Sequence, residues 1–145
     1  MIRVIDYQNG HCDRPCVLLL GYFDGMHVGH RALLSRAKEL AANSMPVGIM
    51  TFYDSKNGGQ IYTFEERLCL FEKLGADFAF AARFDDSFRA TEGHEFLAHT
   101  VQALPVRTFV CGEDFSFGRG ASCGKQELLA FCSERKISAE VLPLV

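Results

Sequence analysis

Two histidines stand three residues apart in the stretch Gly21-Tyr22-Phe23-Asp24-Gly25-Met26-His27-Val28-Gly29-His30. Imidazole N–H groups donate to phosphate oxygens. This stretch follows the apolar run Val17-Leu18-Leu19-Leu20 and precedes an amphipathic segment, so it reads as a strand-to-helix turn. A helix start offers free backbone N–H groups and the positive end of the helix dipole, which suit a phosphate chain. Gly29 allows close approach of backbone and ligand, and Gly21 and Gly25 permit the turns around it. Cationic histidines are disfavoured at a helix start. An anionic ligand accounts for His27 and His30 better than a plain turn does.

A second stretch with chemical content runs from Gly112 to Gly124, after the expected strand Val106–Cys111. Gly112, Gly118, Gly120 and Gly124 make it closely approachable. Phe115 and Phe117 are apolar residues in a polar loop, and either stack on a flat ring or pack beneath the loop. Arg119 has the forked donor set that holds a phosphate. Asp114 would accept from ring or ribose groups, or hold Mg2+. Cys12, Cys16, His27 and His30 loosely imitate a zinc-finger spacing. The strand between them, though, would separate Cys16 from the histidines by about 16 Å.

Positioning these loops requires an alternating α/β chain. Strands are expected at 17–20, 47–52, 78–81, 106–111 and 139–144. Helices are expected from about Gly29 to Ala42, from Thr63 to Gly75, from Thr91 to Leu104, and from Gln126 to Arg135. Thr63 with Glu66 has the form of a capping box, and Gly75 of a helix stop. The expected fold is α/β and Rossmann-like: a five-stranded parallel sheet with helices on both faces, joined by right-handed crossovers. Ligands bind such sheets beyond the carboxyl ends of the strands, where strand order reverses. The loops after Leu20, Phe52, Phe84 and Cys111 are therefore the ones to watch.

At 145 residues, with 48% hydrophobic and 23% charged residues, the chain suits a single globular domain over 1–145. A net charge of −3 argues against a broad nucleic-acid-binding field. No apolar run reaches the roughly 20 residues of a membrane span, and Met1–Asp6 lacks the pattern of a signal peptide. A cytoplasmic protein is expected. Six cysteines without a C-x-x-C pair, several inside apolar runs, read as buried thiols rather than a disulfide framework.

Taken together, Gly21–His30, Thr51-Phe52, Thr63-Phe64-Glu65-Glu66-Arg67 and Gly112–Gly124 resemble, in order, the adenylyltransferase module of bacterial FAD synthetases, the bifunctional riboflavin kinase/FMN adenylyltransferases. The double-phenylalanine loop is the specific element, since His-x-Gly-His recurs across nucleotidyltransferases. The resemblance implies transfer of AMP from ATP to FMN, giving FAD and pyrophosphate, with Mg2+. It implies His27 and His30 on the ATP phosphates, and Gly21, Phe23, Asp24, Gly29 and Gly112 on the nucleotide. Asp114, Phe115, Phe117 and Arg119 would lie on the flavin side, and no protein ligand to the metal is assigned. The sequence departs from the family pattern at Tyr53-Asp54-Ser55, where a Pro-His-Pro type stretch is usual. A family Ser-Ser-x-x-Ile-Arg segment and the riboflavin kinase module have no counterpart in 1–145. Two other readings share the pattern: a nucleotidyltransferase with another phosphate acceptor, and a nucleotide or flavin binder without catalysis.

Overall fold

The computed structural model describes residues 2–21, 28–54 and 62–143. Its centre is a parallel sheet of β1 (Arg3–Asp6), β2 (Cys16–Leu19), β3 (Val47–Phe52), β4 (Phe78–Ala82), β5 (Val106–Gly112) and β6 (Ser138–Leu142). The spatial order is β1-β4-β3-β2-β5-β6. The helices are α1 (Val28–Ala41), α2 (Phe64–Lys73), a single turn α3 (Asp86–Arg89), α4 (Gly93–Ala103) and α5 (Lys125–Arg135).

The sheet has six strands where five were expected. The additional one, β1, pairs in parallel with β4, Arg3 against Phe78 and Asp6 against Ala81. It is a four-residue edge strand whose Arg3 and Val4 are exposed. It therefore lacks the unbroken apolar run that marks a strand covered on both faces. Its register is fixed instead by two side chains on opposite sheet faces: Ile2 joins one core and Ile5 the other.

Those two cores explain the alternation inside β2, where every residue is buried. Val17 and Leu19 face α1 and α2, packing with Leu34, Ala37 and Phe71. Cys16 and Leu18, with Leu20 just beyond the strand, face α4 and α5, packing with Phe96, Leu97 and Leu128. A side chain of this size fully removed from water contributes about 1.5–3 kcal/mol. β2 is thus the hydrophobic spine of the sheet.

The local punctuation of the chain is legible. The Thr63 hydroxyl accepts from Glu66 N and the Glu66 carboxylate accepts from Thr63 N, a complete capping box at the start of α2. At its end Gly75 takes φ +98°, Gly75 N donates to Glu72 O, and Ala76 N to Phe71 O. That is a Schellman stop, and its left-handed residue favours glycine. All six cysteines are free thiols. No helix among the described residues is long and apolar enough to cross a membrane.

Candidate active site

Strand order reverses between β2 and β5. The chain proceeds outward from β2 through β3 to β4, then returns to lay β5 on the other side of β2. β2 and β5 pair directly, Leu19 against Val110, and Leu20 N donates to Val110 O. Because the two strands are parallel, the segment after Leu20 and the segment after Gly112 leave from the same edge of the sheet. This is where an open α/β sheet leaves a crevice.

A pocket of about 290 Å3 occupies this edge on the α4 side. Gly21 borders it from the first loop, and Phe115, Phe117, Gly118 and Gly120 from the second. Its other walls are Met50 and Phe52 from β3, Phe84, and Phe88 and Arg89 from α3. Of the four loops expected to matter, those after Leu20, Phe84 and Cys111 contribute described residues to this cavity, and the strand end at Phe52 forms a wall; residues 55–61 of the loop after Phe52 lie outside the described residues.

The phenylalanine loop is held by backbone contacts. Phe117 N donates to Cys123 O and Cys123 N to Phe117 O, closing an isolated antiparallel bridge. Gly118 has φ +81°, and a Cβ there would stand 2.7 Å from Gly93 N. A Cβ on Gly93 would reach to 2.5 Å of Cys123 Sγ. Glycine at both positions lets the loop lie directly on the first turn of α4. Phe117 is consequently buried against Phe96, with ring centroids 5.9 Å apart. Phe115 is half-buried and stacks on Phe117 at 5.6 Å.

Several site residues were missed by sequence reasoning. Phe84, Phe88 and Arg89 line the pocket because Asp85 caps α3, its carboxylate accepting from Phe88 N at 2.9 Å. Phe88 then packs edge-on against Phe52 at 5.2 Å. The usable signal was Asp85 three residues before an aromatic, a cap followed by an inward-facing ring. In the sequence Arg67 stands out only as the last residue of the Thr63–Arg67 motif. Its guanidinium is buried and donates to Thr51 Oγ1 at 2.8 Å, Phe52 O at 2.7 Å and Tyr53 O at 3.3 Å. It thereby fastens the carboxyl end of β3, which forms a pocket wall.

The remaining expected site residues are placed as follows. His30 is half-buried in the first turn of α1, with Gly29 beside it in the same turn. α1 packs on the sheet face opposite α4, so the helix start and the pocket share the sheet edge but belong to its two faces. Asp114 is exposed, and a Cβ on Gly112 would meet its Oδ1 at 3.0 Å. Arg119 is exposed and lies 3.9 Å from Glu92, outside the residues that line the pocket. His27, Phe23 and Asp24 lie outside the described residues.

Tyr53, where the sequence departs from the Pro-His-Pro pattern, turns toward β1. Its hydroxyl donates to Asp6 Oδ1 at 2.8 Å, and the Arg83 guanidinium lies over its ring. Burial, with the Asp6 hydrogen bond second, pushes the phenol up to about 12. Tyr53 therefore buttresses the β1–β4 side and does not line the pocket.

Comparison with known proteins gives consistent relatives. A family model described as FAD synthetase matches residues 9–145. The bifunctional riboflavin kinase/FMN adenylyltransferase of Escherichia coli (strain K12) is 34% identical over 130 residues, covering 83% of this chain and 42% of that protein. The protein of the same name from Bacillus subtilis (strain 168) is 28% identical over 113 residues, covering 71% of this chain and 36% of its own length. The chain thus spans less than half the length of these relatives. A crystal structure described as a macrolide-efflux protein from Streptococcus pneumoniae superposes with a TM-score of 0.86 over 98% of this chain and 50% of that one. At 24% identity that match speaks for the fold alone.

Proposed function

The chain belongs to the FAD synthetase family, and from that premise we propose that residues 1–145 form one nucleotidyltransferase domain that transfers AMP from ATP to FMN. The supporting observation is the meeting of Gly21 with Phe115 and Phe117 around one aromatic pocket at the point where strand order reverses. A flat apolar ring fits a cavity walled by phenylalanines. A triphosphate fits the start of α1 at the same sheet edge.

In this reading an FMN phosphate oxygen attacks the α-phosphorus of ATP in line. The new P–O bond forms as the bond to the bridging oxygen breaks, and pyrophosphate leaves with that electron pair. The nucleophile is already anionic, so no strong base is required. Catalysis is then positioning and charge stabilisation. His27 and His30, with the backbone at Gly29, would donate to the phosphates. Gly21, Phe23, Asp24 and Gly112 would border the nucleotide, and Asp114, Phe115, Phe117 and Arg119 the flavin.

Mg2+ keeps most of its coordination shell from water and substrate phosphates and takes one or two carboxylates. The exposed Asp114 carboxylate at the end of β5 suits that donor set. When bound, the ion would neutralise charge on the triphosphate. A cytoplasmic setting is part of the same proposal.

The test is incubation of the purified protein with FMN, ATP and Mg2+, with chromatographic detection of FAD. FAD and pyrophosphate in equal amounts are expected. Saturable binding of FMN and ATP without FAD would favour the second reading, a binder without catalysis. The specific observation behind that reading is the diversion of Tyr53 from the pocket to Asp6. Stabilisation by a different phosphate acceptor, rising with its concentration while FMN has no effect, would replace FMN as the substrate.

A further inference from the structure

The phenylalanine pocket contains one charged side chain among the described residues that line it, Arg89. Its guanidinium carbon lies 4.7 Å from the Phe84 ring centroid, in a cation–π contact. Its NH1 reaches Asp86 Oδ1 at 2.9 Å, but Asp86 is fully exposed. A pair of that kind is screened by water and gives way readily to another acceptor. The stack on Phe84 fixes the guanidinium at the pocket, while the Asp86 contact leaves its donors exchangeable. Two residues on, Thr91 also lines the pocket. Its hydroxyl proton is committed to Ser87 O at 2.9 Å, so the oxygen presents lone pairs as an acceptor.

Arg89 supplies donors with no acceptor, and Thr91 an acceptor whose proton is already used. An isoalloxazine has a hydrocarbon end and, opposite it, a dione edge with two carbonyl oxygens flanking an N–H. The donor–acceptor order of that edge complements the Arg89–Thr91 pair, and the hydrocarbon end matches the phenylalanine walls.

We propose that Arg89 is a specificity-determining residue of this pocket, donating to the carbonyl edge of the flavin ring while Thr91 accepts from the ring N–H. The assignment rests on the function proposed above and adds the orientation of the acceptor within the pocket. Arg89 acts on the ring and not on the reacting phosphates. Its loss therefore weakens acceptor binding and leaves the chemical step alone.

The test uses the full chain with FMN as probe. Arg89→Met keeps the apolar stem over Phe84 and removes the donors, and Arg89→Lys keeps a charge without the fork. The expected result for Arg89→Met is an FMN Kd and KM raised by about tenfold, with kcat within about twofold and KM for ATP unchanged. The visible-absorption shift that accompanies binding, which reports hydrogen bonding at the dione edge, is lost. Arg89→Lys restores part of both, and Thr91→Val weakens binding to a smaller extent. Because Arg89 is half exposed, melting curves of both variants should match the parent. Wild-type affinity and an unchanged spectrum in Arg89→Met would overturn this assignment and leave the proposed function standing. A parent protein that neither binds FMN nor forms FAD would overturn both.

Discussion

The rings of Phe115 and Phe117 are stacked near-parallel, with centroids 5.6 Å apart and planes 15° from parallel. Phe117 is 2% exposed and belongs to the core against α4, whereas Phe115 stays half-buried at the pocket. One two-residue pattern therefore performs two jobs. The inner ring anchors the loop, and the outer ring presents an aromatic face to the pocket.

Substitution separates these jobs. Phe117→Ala removes a fully packed aromatic and should cost about 3–5 kcal/mol of stability, read by urea unfolding. Phe115→Ala should change stability by less than about 1 kcal/mol and weaken FMN binding, read by flavin fluorescence quenching. Equal losses of stability in both variants would contradict the division of roles.

His30 sits in the first turn of α1, where an imidazole gains little from the helix itself. If it donates to phosphate in the transition state, His30→Ala should lower kcat by about tenfold or more, in line with other charge-stabilising donors worth about 2.7–4 kcal/mol. The fold should survive, as judged by circular dichroism. Undiminished FAD formation would remove His30 from the phosphate site.

Arg67 joins three groups of the Thr51–Tyr53 segment from a buried position. Arg67→Met keeps the stem but strands buried acceptors, each costing about 1–3 kcal/mol. The variant should lose about 3 kcal/mol in denaturant unfolding, beyond what a solvated arginine contributes. Because β3 also forms a pocket wall, affinity for FMN should fall with it. A variant as stable as the parent would mean that the β3 end holds its place without the guanidinium.

Alkali should destabilise the protein through groups held neutral by the fold. Burial, with the charge of Glu95 second, pushes the Tyr7 phenol up to about 12, and burial followed by the Asp6 bond does the same for Tyr53. Burial also raises the Cys16 and Cys111 thiols to about 12. In the unfolded chain these thiols ionise near 9 and the phenols near 10. The folded-state values are the higher ones, so the folded form holds its protons longer. This contribution is complete below pH about 9 and is lost as pH rises through about 12. Melting temperature should fall steadily across that window and be level just below it. Tyr53→Phe should reduce the slope.

Much of this molecule is written in short-range patterns. The run Val17–Leu20 specifies a strand buried on both faces because no polar residue interrupts it, and β2 is buried throughout. Thr63, Glu66 and Gly75 specify the ends of α2, because capping and the left-handed stop depend on neighbouring residues alone. The glycine-rich stretches after β2 and β5 read as candidate ligand loops from the same kind of short-range pattern.

Other features depend on partners distant in the chain. Strand β1 exists because Arg3–Asp6 finds β4 some 75 residues later, and a short, half-exposed edge strand carries no local signature of that partner. Arg89 enters the pocket only when α3 folds beneath Phe52, and Arg119, similar in sequence terms, is left beside Glu92. The sequence by itself determined five of the six strands and the four longer helices, since those rest on periodicity and capping. Which side chains share a cavity was decided by the order of strands in the sheet, a property of contacts between residues far apart along the chain.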